Sequence, residues 1–255
     1  MKPLAELDPR AVSAVLFDID DTLTTAGKLT AAAYSALERL QAAGKRVVAV
    51  TGRPAGWCDH IARMWPVDAV VGENGAFYFS FADGRLHKHY RDAAQLRVQN
   101  RQRLAEIGRA IVVAIPGCAI AADQAYRETD LAIDYCEDVP PLPLETAERI
   151  AELMRQGGLH AKVSSIHVNG WFGAYDKLAM TRELFRTAFG IDLDRQRDAV
   201  IYVGDSPNDA PMFDFFPKSV GVANVRRFPG VRPNYVTVAA SGAGFAEVVL
   251  HLLRA

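Results

Sequence analysis

Three carboxylates fall within four residues in Asp18-Ile19-Asp20-Asp21-Thr22, directly behind the apolar run 11–17. Carboxylates this close repel one another unless a cation or shared protons neutralise them. A second acidic cluster, Gly204-Asp205-Ser206-Pro207-Asn208-Asp209, follows the apolar run 199–203. Its carboxylates and the Asn208 amide are hard oxygen ligands of the kind Mg²⁺ takes. Either cluster alone reads equally well as an acidic turn or helix cap. If both strands lie in one parallel sheet, four carboxylates converge with no basic counterweight, and a divalent cation is the simplest electrostatic solution. Thr51-Gly52-Arg53 closes a third apolar run. A hydroxyl with free backbone N–H groups at a helix N-terminus makes an anion site, although Thr is also an ordinary cap ahead of a first-turn Pro54. Lys177 opens a helical stretch, where it opposes the helix dipole. It therefore calls for an anionic partner, which the adjacent Asp176 could be.

The elements that must carry these residues follow from hydrophobic periodicity. Runs 11–17, 46–50, 68–71 and 199–203 are short and nearly continuous in apolar residues, as suits strands buried on both faces. Between them lie helical stretches: Thr30 caps one with Ala33, Leu37 and Leu40 on one face, and a second ends near Met64. Helix 177–189, short strands at 219–222 and 235–238, and a helix from about 244 complete this part. Strand and helix in alternation predict an α/β fold, a doubly wound and mainly parallel sheet, with ligands at the carboxyl ends of the strands. The middle differs. Helix 92–108, strands at 111–115 and 131–135, helix 144–156 and a strand over 160–168 predict an inserted α+β unit. The expected division is a core of residues 1–81 and 173–255 with an insert of 82–172.

Composition limits the partners. The 255 residues are 50% apolar and 23% charged, and Lys+Arg 29 against Asp+Glu 30 leaves a net charge of −1. That balance argues against dedicated nucleic-acid or anionic-membrane binding. Cys58, Cys118 and Cys136 show no C-x-x-C spacing, which disfavours a disulfide framework or zinc knuckle and fits a reducing compartment. No signal-peptide pattern opens the chain. The longest apolar run, 110–122, is broken by Pro116-Gly117 and falls short of the ~20 residues that span a bilayer. A cytoplasmic protein is expected, with oligomeric state open.

Taken together, the motifs resemble those of the haloacid dehalogenase superfamily of phosphotransferases. The first loop reads FDIDDTLT (17–24), the second VTGR (50–53), the third is Lys177 and the fourth GDSPND (204–209). Glu73-Asn74-Gly75-Ala76 and the position of the insert resemble the subgroup with a large α/β cap, which includes sucrose-phosphatase-like, phosphoglycolate-phosphatase-like and phosphomannomutase-like proteins. The resemblance implies a Rossmann-like core with an inserted cap, and Mg²⁺-dependent hydrolysis of a small phosphorylated metabolite, foremost a sugar phosphate. It implies that Asp18 is the nucleophile and Asp20 the acid/base, with a pKa raised by crowding against Asp18 and Asp205. Asp18, Asp20 through its main-chain carbonyl, and Asp205 would hold the metal. Asp209 would join that metal site or stand behind it, orienting Lys177. Thr51, Gly52, Arg53, Asn74, Lys177 and Asn208 would bind substrate, with Thr51 and Lys177 also serving catalysis. A phosphohexomutase using the same nucleophile and a non-catalytic phospho-ligand sensor are the rival readings.

Other residues carry plainer readings. His87 and His89 share a strand face without a third ligand, as in a surface hairpin. Arg91, Arg97, Arg101, Arg103 and Arg109 suggest a solvated basic helix face. Residues 169–172 (NGWF) fit a sugar contact or a packed hinge equally.

Overall fold

The computed structural model describes residues 1–254. Its first half runs β1 (Lys2–Pro3), β2 (Ala14–Phe17), α1 (Ala31–Ala42), β3 (Arg46–Val50), α2 (Ala55–Met64), β4 (Ala69–Gly72), β5 (Phe77–Ala82) and β6 (Arg85–Tyr90). There follow α3 (Ala94–Ala114), β7 (Ala119–Ile120), β8 (Asp130–Asp134), α4 (Leu144–Gln156), β9 (His160–Val163) and β10 (His167–Trp171). The chain closes with α5 (Lys177–Ala188), α6 (Leu193–Gln196), β11 (Val200–Gly204), α7 (Ala210–Phe215), β12 (Lys218–Gly221), β13 (Tyr235–Val236) and α8 (Ser241–Leu252).

The large sheet has the order β1-β13-β12-β11-β2-β3-β4-β5-β6. Pairing is parallel from β1 to β4 and antiparallel through the β5–β6 hairpin. The apolar runs are continuous because the central strands are covered on both sides. Val15 and Phe17 pack into one cluster with Leu37, Ile61 and Phe245, while Ala14 and Leu16 pack into another with Leu184 and Phe213. Burying each large apolar side chain contributes about 1.5–3 kcal/mol. Among the described residues no helix is long and apolar enough to cross a membrane.

A separate four-stranded antiparallel sheet, β7-β8-β10-β9, carries α3 and α4 on one face. Along β8 the alternation is strict: Leu131 and Ile133 join the helices, which leaves the buried carboxylates of Asp130 and Asp134 for the opposite face. That face turns toward the core.

Three features depart from the sequence expectation. Residues 111–114 continue α3 instead of forming a strand. Leu104, Gly108 and Ile111 are buried at helical spacing while Val113 is 86% exposed, and Gly108 sits within the helix because the Leu131 side chain packs where a Cβ would stand. The strand over 160–168 is two strands, folded back at Ser164, whose N–H and hydroxyl both donate to the His167 carbonyl. Strand β6, expected inside the insert, extends the large sheet by pairing with β5.

Candidate active site

The register of the central strands explains how distant loops meet. Val203 pairs with Phe17, and Phe17 with Ala49, so β11, β2 and β3 end side by side. Their next residues are Gly204-Asp205, Asp18 and Val50-Thr51. Beside them β4 ends in Glu73-Asn74-Gly75, three successive residues at φ 43, 55 and 107. Gly75 is required there, since a Cβ would lie 2.0 Å from the Asp176 carbonyl oxygen. This close approach seats the start of α5 against the loop and delivers Lys177.

Lys177 is 1% exposed, and its Nζ donates to Asp18 Oδ1 and Asp209 Oδ1 at 2.7 Å each. The neighbouring Asp176 is not its partner; it caps α5 by accepting from Ala179 N. Burial alone would lower the ammonium's pKa, but the two carboxylates outweigh it and hold it above its ordinary value. Asp18, Asp205 and Asp209 place one oxygen each within 4.8 Å of one another, all buried. Burial pushes the Asp18 carboxyl up to about 8 against the pull of Lys177, with Asp209 and Asp20 adding repulsion. Asp205 rises well above the carboxylate range for the same reason, burial first and then Asp18 and Asp209. Three buried acids facing one ammonium are short of positive charge, and a divalent cation fits that deficit.

Asp209 is already saturated. Lys177 and Tyr202 Oη donate to one oxygen, and the Asp205 and Ser206 amides to the other, which fills its four acceptor positions. Asp205 accepts from Thr22 Oγ1 at 3.3 Å and Asn224 Nδ2 at 3.0 Å. Asp20 lies apart from the acidic triad. Its carboxylate takes Arg53 Nε and Nη2 at 2.8–3.0 Å, a guanidinium partner that the sequence did not suggest.

The remaining candidates also collect here. Thr51 is fully buried and accepts from Arg53 N at 3.0 Å. Asn208 Nδ2 donates to Asn74 Oδ1 at 3.1 Å, and Asn74 Nδ2 is left without a partner beside Gly52. His87 and His89 lie on the β6 hairpin, where the His89 ring stacks on Tyr78. Trp171 of the NGWF stretch is 1% exposed, donates to Tyr175 O and stacks on that ring. Trp171 is therefore a packed residue, while Asn169 of the same stretch lines the cavity between the two sheets.

The second sheet closes the site. Asp18, Asp20, Gly52, Arg53 and Asn208 from below, and Ser164–His167 with Asn169 from above, enclose a cavity of only about 10 Å³. Arg53 reaches across to Asp123 and Glu137, and Arg127 returns a bond to the Gly52 carbonyl at 2.9 Å. Sequence reasoning missed Thr22, Tyr202, Asn224, Asp123, Arg127, Glu137 and His167. Asn224 had a signal, because it sits just past a parallel strand; the others acquire their place only through tertiary partners.

A sequence profile of haloacid dehalogenase-like hydrolases matches residues 15–100. A phosphoglycolate phosphatase of Haloarcula marismortui is 28% identical over 236 residues, 92% of this chain and 95% of that protein. The crystal structure of Thermoplasma acidophilum protein 0175 superposes with a TM-score of 0.69 at 17% identity, covering 95% of this chain and 98% of that one. The sucrose-phosphatase of Synechocystis sp. PCC6803, solved with sucrose and phosphate, gives 0.63 at 14% identity over 95% and 98% of the two chains. The profile match, the near full-length relative and the shared fold all show similarity to haloacid dehalogenase-like hydrolases.

Proposed function

We propose that the protein is a Mg²⁺-dependent phosphatase that hydrolyses a small phosphorylated metabolite of the sugar-phosphate type through an aspartyl-phosphate at Asp18. The observation that carries this reading is the buried constellation of Asp18, Lys177, Asp209 and Asp205 at the ends of β2, α5 and β11. Asp18, the main-chain carbonyl of Asp20 and Asp205 would hold Mg²⁺, which offsets the negative charge shared by nucleophile and phosphate. Asp209, with its oxygens already engaged, stands behind and fixes Lys177.

Asp18 attacks phosphorus in line as the bond to the leaving oxygen breaks. Asp20, oriented by Arg53, gives that oxygen a proton, then takes one from the water that cleaves the acyl phosphate and restores Asp18. Thr51, the Gly52 N–H, Asn208 and Lys177 hold the non-transferred oxygens. Residues 94–171, from α3 to β10, act as the cap: they withdraw to admit substrate and close to exclude water. The leaving-group side presents Ser164, Ser165, His167, Asn169 and Glu137, hydrogen-bonding groups suited to a hydroxylated ligand.

Steady-state release of inorganic phosphate from a panel of sugar phosphates and phosphoglycolate, with Mg²⁺ and with EDTA, tests the reading. The expected result is continuous release that needs the metal and falls at least about 10³-fold in Asp18→Asn. Release that persists unchanged in EDTA or in Asp18→Asn overturns it, and so does a single burst without turnover.

A further inference from the structure

The cap contributes one carboxylate, Glu137, to which the reading above gives only a place on the leaving-group side. Glu137 lies in the loop after β8, and the loop is shaped by Asp134, whose carboxylate accepts the amides of Cys136, Glu137 and Asp138 at 2.8–2.9 Å. The turn aims Glu137 at the core. Both Glu137 oxygens contact the Arg53 guanidinium, and Oε2 lies 2.9 Å from His167 Nε2. Burial opposes ionisation of Glu137, yet His167 and Arg53 outweigh it and hold the carboxyl down to about 2. The same guanidinium already serves Asp20 and Asp123. Asp123 and Asp130 in turn share Arg127. Two arginines therefore face four carboxylates at the seam between cap and core. The buried Ser165 Oγ on the cap lacks a hydrogen-bond partner, and Ser165 and His167 line the same cavity.

We propose that Glu137 is a specificity-determining residue that makes the site favour neutral, hydroxyl-bearing leaving groups and disfavour those carrying a carboxylate. A substrate carboxylate entering beside Arg53 would meet Glu137 at ion-pair range, where like charges repel strongly in a partly desolvated site. Sugar hydroxyls instead donate to Glu137 and pair with Ser165 and His167. This inference rests on the phosphatase reading, and its test separates the two.

The test compares phosphoglycolate with a hexose 6-phosphate on wild type, Glu137→Gln and Glu137→Asp. Two ratios are read: that of kcat/KM with Mg²⁺, and that of calorimetric Kd with Ca²⁺ in place of Mg²⁺. Glu137→Gln should move both ratios at least about tenfold toward phosphoglycolate, and the charge-preserving Glu137→Asp should stay close to wild type. A general loss of stability would lower both substrates together and leave the ratios unmoved. Unmoved ratios in Glu137→Gln, or a shift toward the hexose phosphate, overturn the proposal. If wild type turns over neither ester the phosphatase reading fails for these substrates, and the calorimetric ratio still decides the role of Glu137.

Discussion

Replacing Lys177 with Met isolates the electrostatics on which the site depends. The side chain is 1% exposed and carries two 2.7 Å bonds to carboxylates that are themselves buried. Met keeps most of the volume, so the loss is one of charge. Removing one member of a buried ion pair leaves its partners uncompensated and typically costs about 3–5 kcal/mol. At this chain length each kcal/mol moves the melting temperature by about 2–4 °C, so a fall on the order of 10 °C is expected in metal-free protein.

The loss should also depend on pH. Burial, the largest cause, pushes the Asp18 carboxyl up to about 8 in the folded protein, against about 3.9 for a free aspartate. A carboxyl whose folded pKa is raised stabilises fully below its unfolded pKa, and that contribution is lost as pH climbs through the folded value. Without Lys177 the folded value rises further, so the variant should be closer to wild type at pH 5 than at pH 8. Urea denaturation at both pH values, with and without Mg²⁺, reads this directly. Mg²⁺ should narrow the gap by returning positive charge to the acidic triad. A loss below about 1 kcal/mol, equal at both pH values and indifferent to Mg²⁺, would refute the charge-deficit argument.

Two further substitutions probe the scaffold. Gly75→Ala places a Cβ 2.0 Å from the Asp176 carbonyl at φ 107, so it should cost at least about 2 kcal/mol in chemical denaturation and lower kcat/KM by displacing Lys177. Glu73 is fully buried, accepts the amides of Ala55 in the core and Glu128 and Thr129 in the cap, and is pushed up to about 7 by burial and then by Asp130. Its raised value means that stability falls as pH rises from about 4.5 to 7. Glu73→Gln should flatten that slope in pH-dependent urea titrations; an unchanged slope counts against the assignment.

The half of the site built by the large sheet was readable because each residue sits directly behind its own apolar run. Asp18 follows β2, Thr51 follows β3 and Asp205 follows β11, so predicting the strands amounted to predicting where the side chains emerge. Lys177 was legible in part: its position against the helix dipole called for an anion, but the neighbouring Asp176 masked Asp18, which lies 159 residues away. The cap offered no such rule. Its β-branched stretch 111–113 looks like a strand, yet it continues the helix whose buried face, Leu104, Gly108 and Ile111, packs against the second sheet, with Leu131 filling the gap at Gly108. Glu137 has no local distinction at all. Its role depends on Asp134 folding the loop and on Arg53, 84 residues earlier, so its meaning arises only once both sheets have formed. On the proposed reading, the parts fixed by strand ends set the chemistry and the parts fixed by tertiary pairing set the choice of leaving group. It follows that substitutions in the first set should abolish turnover of every ester alike, whereas those in the second should re-rank the esters.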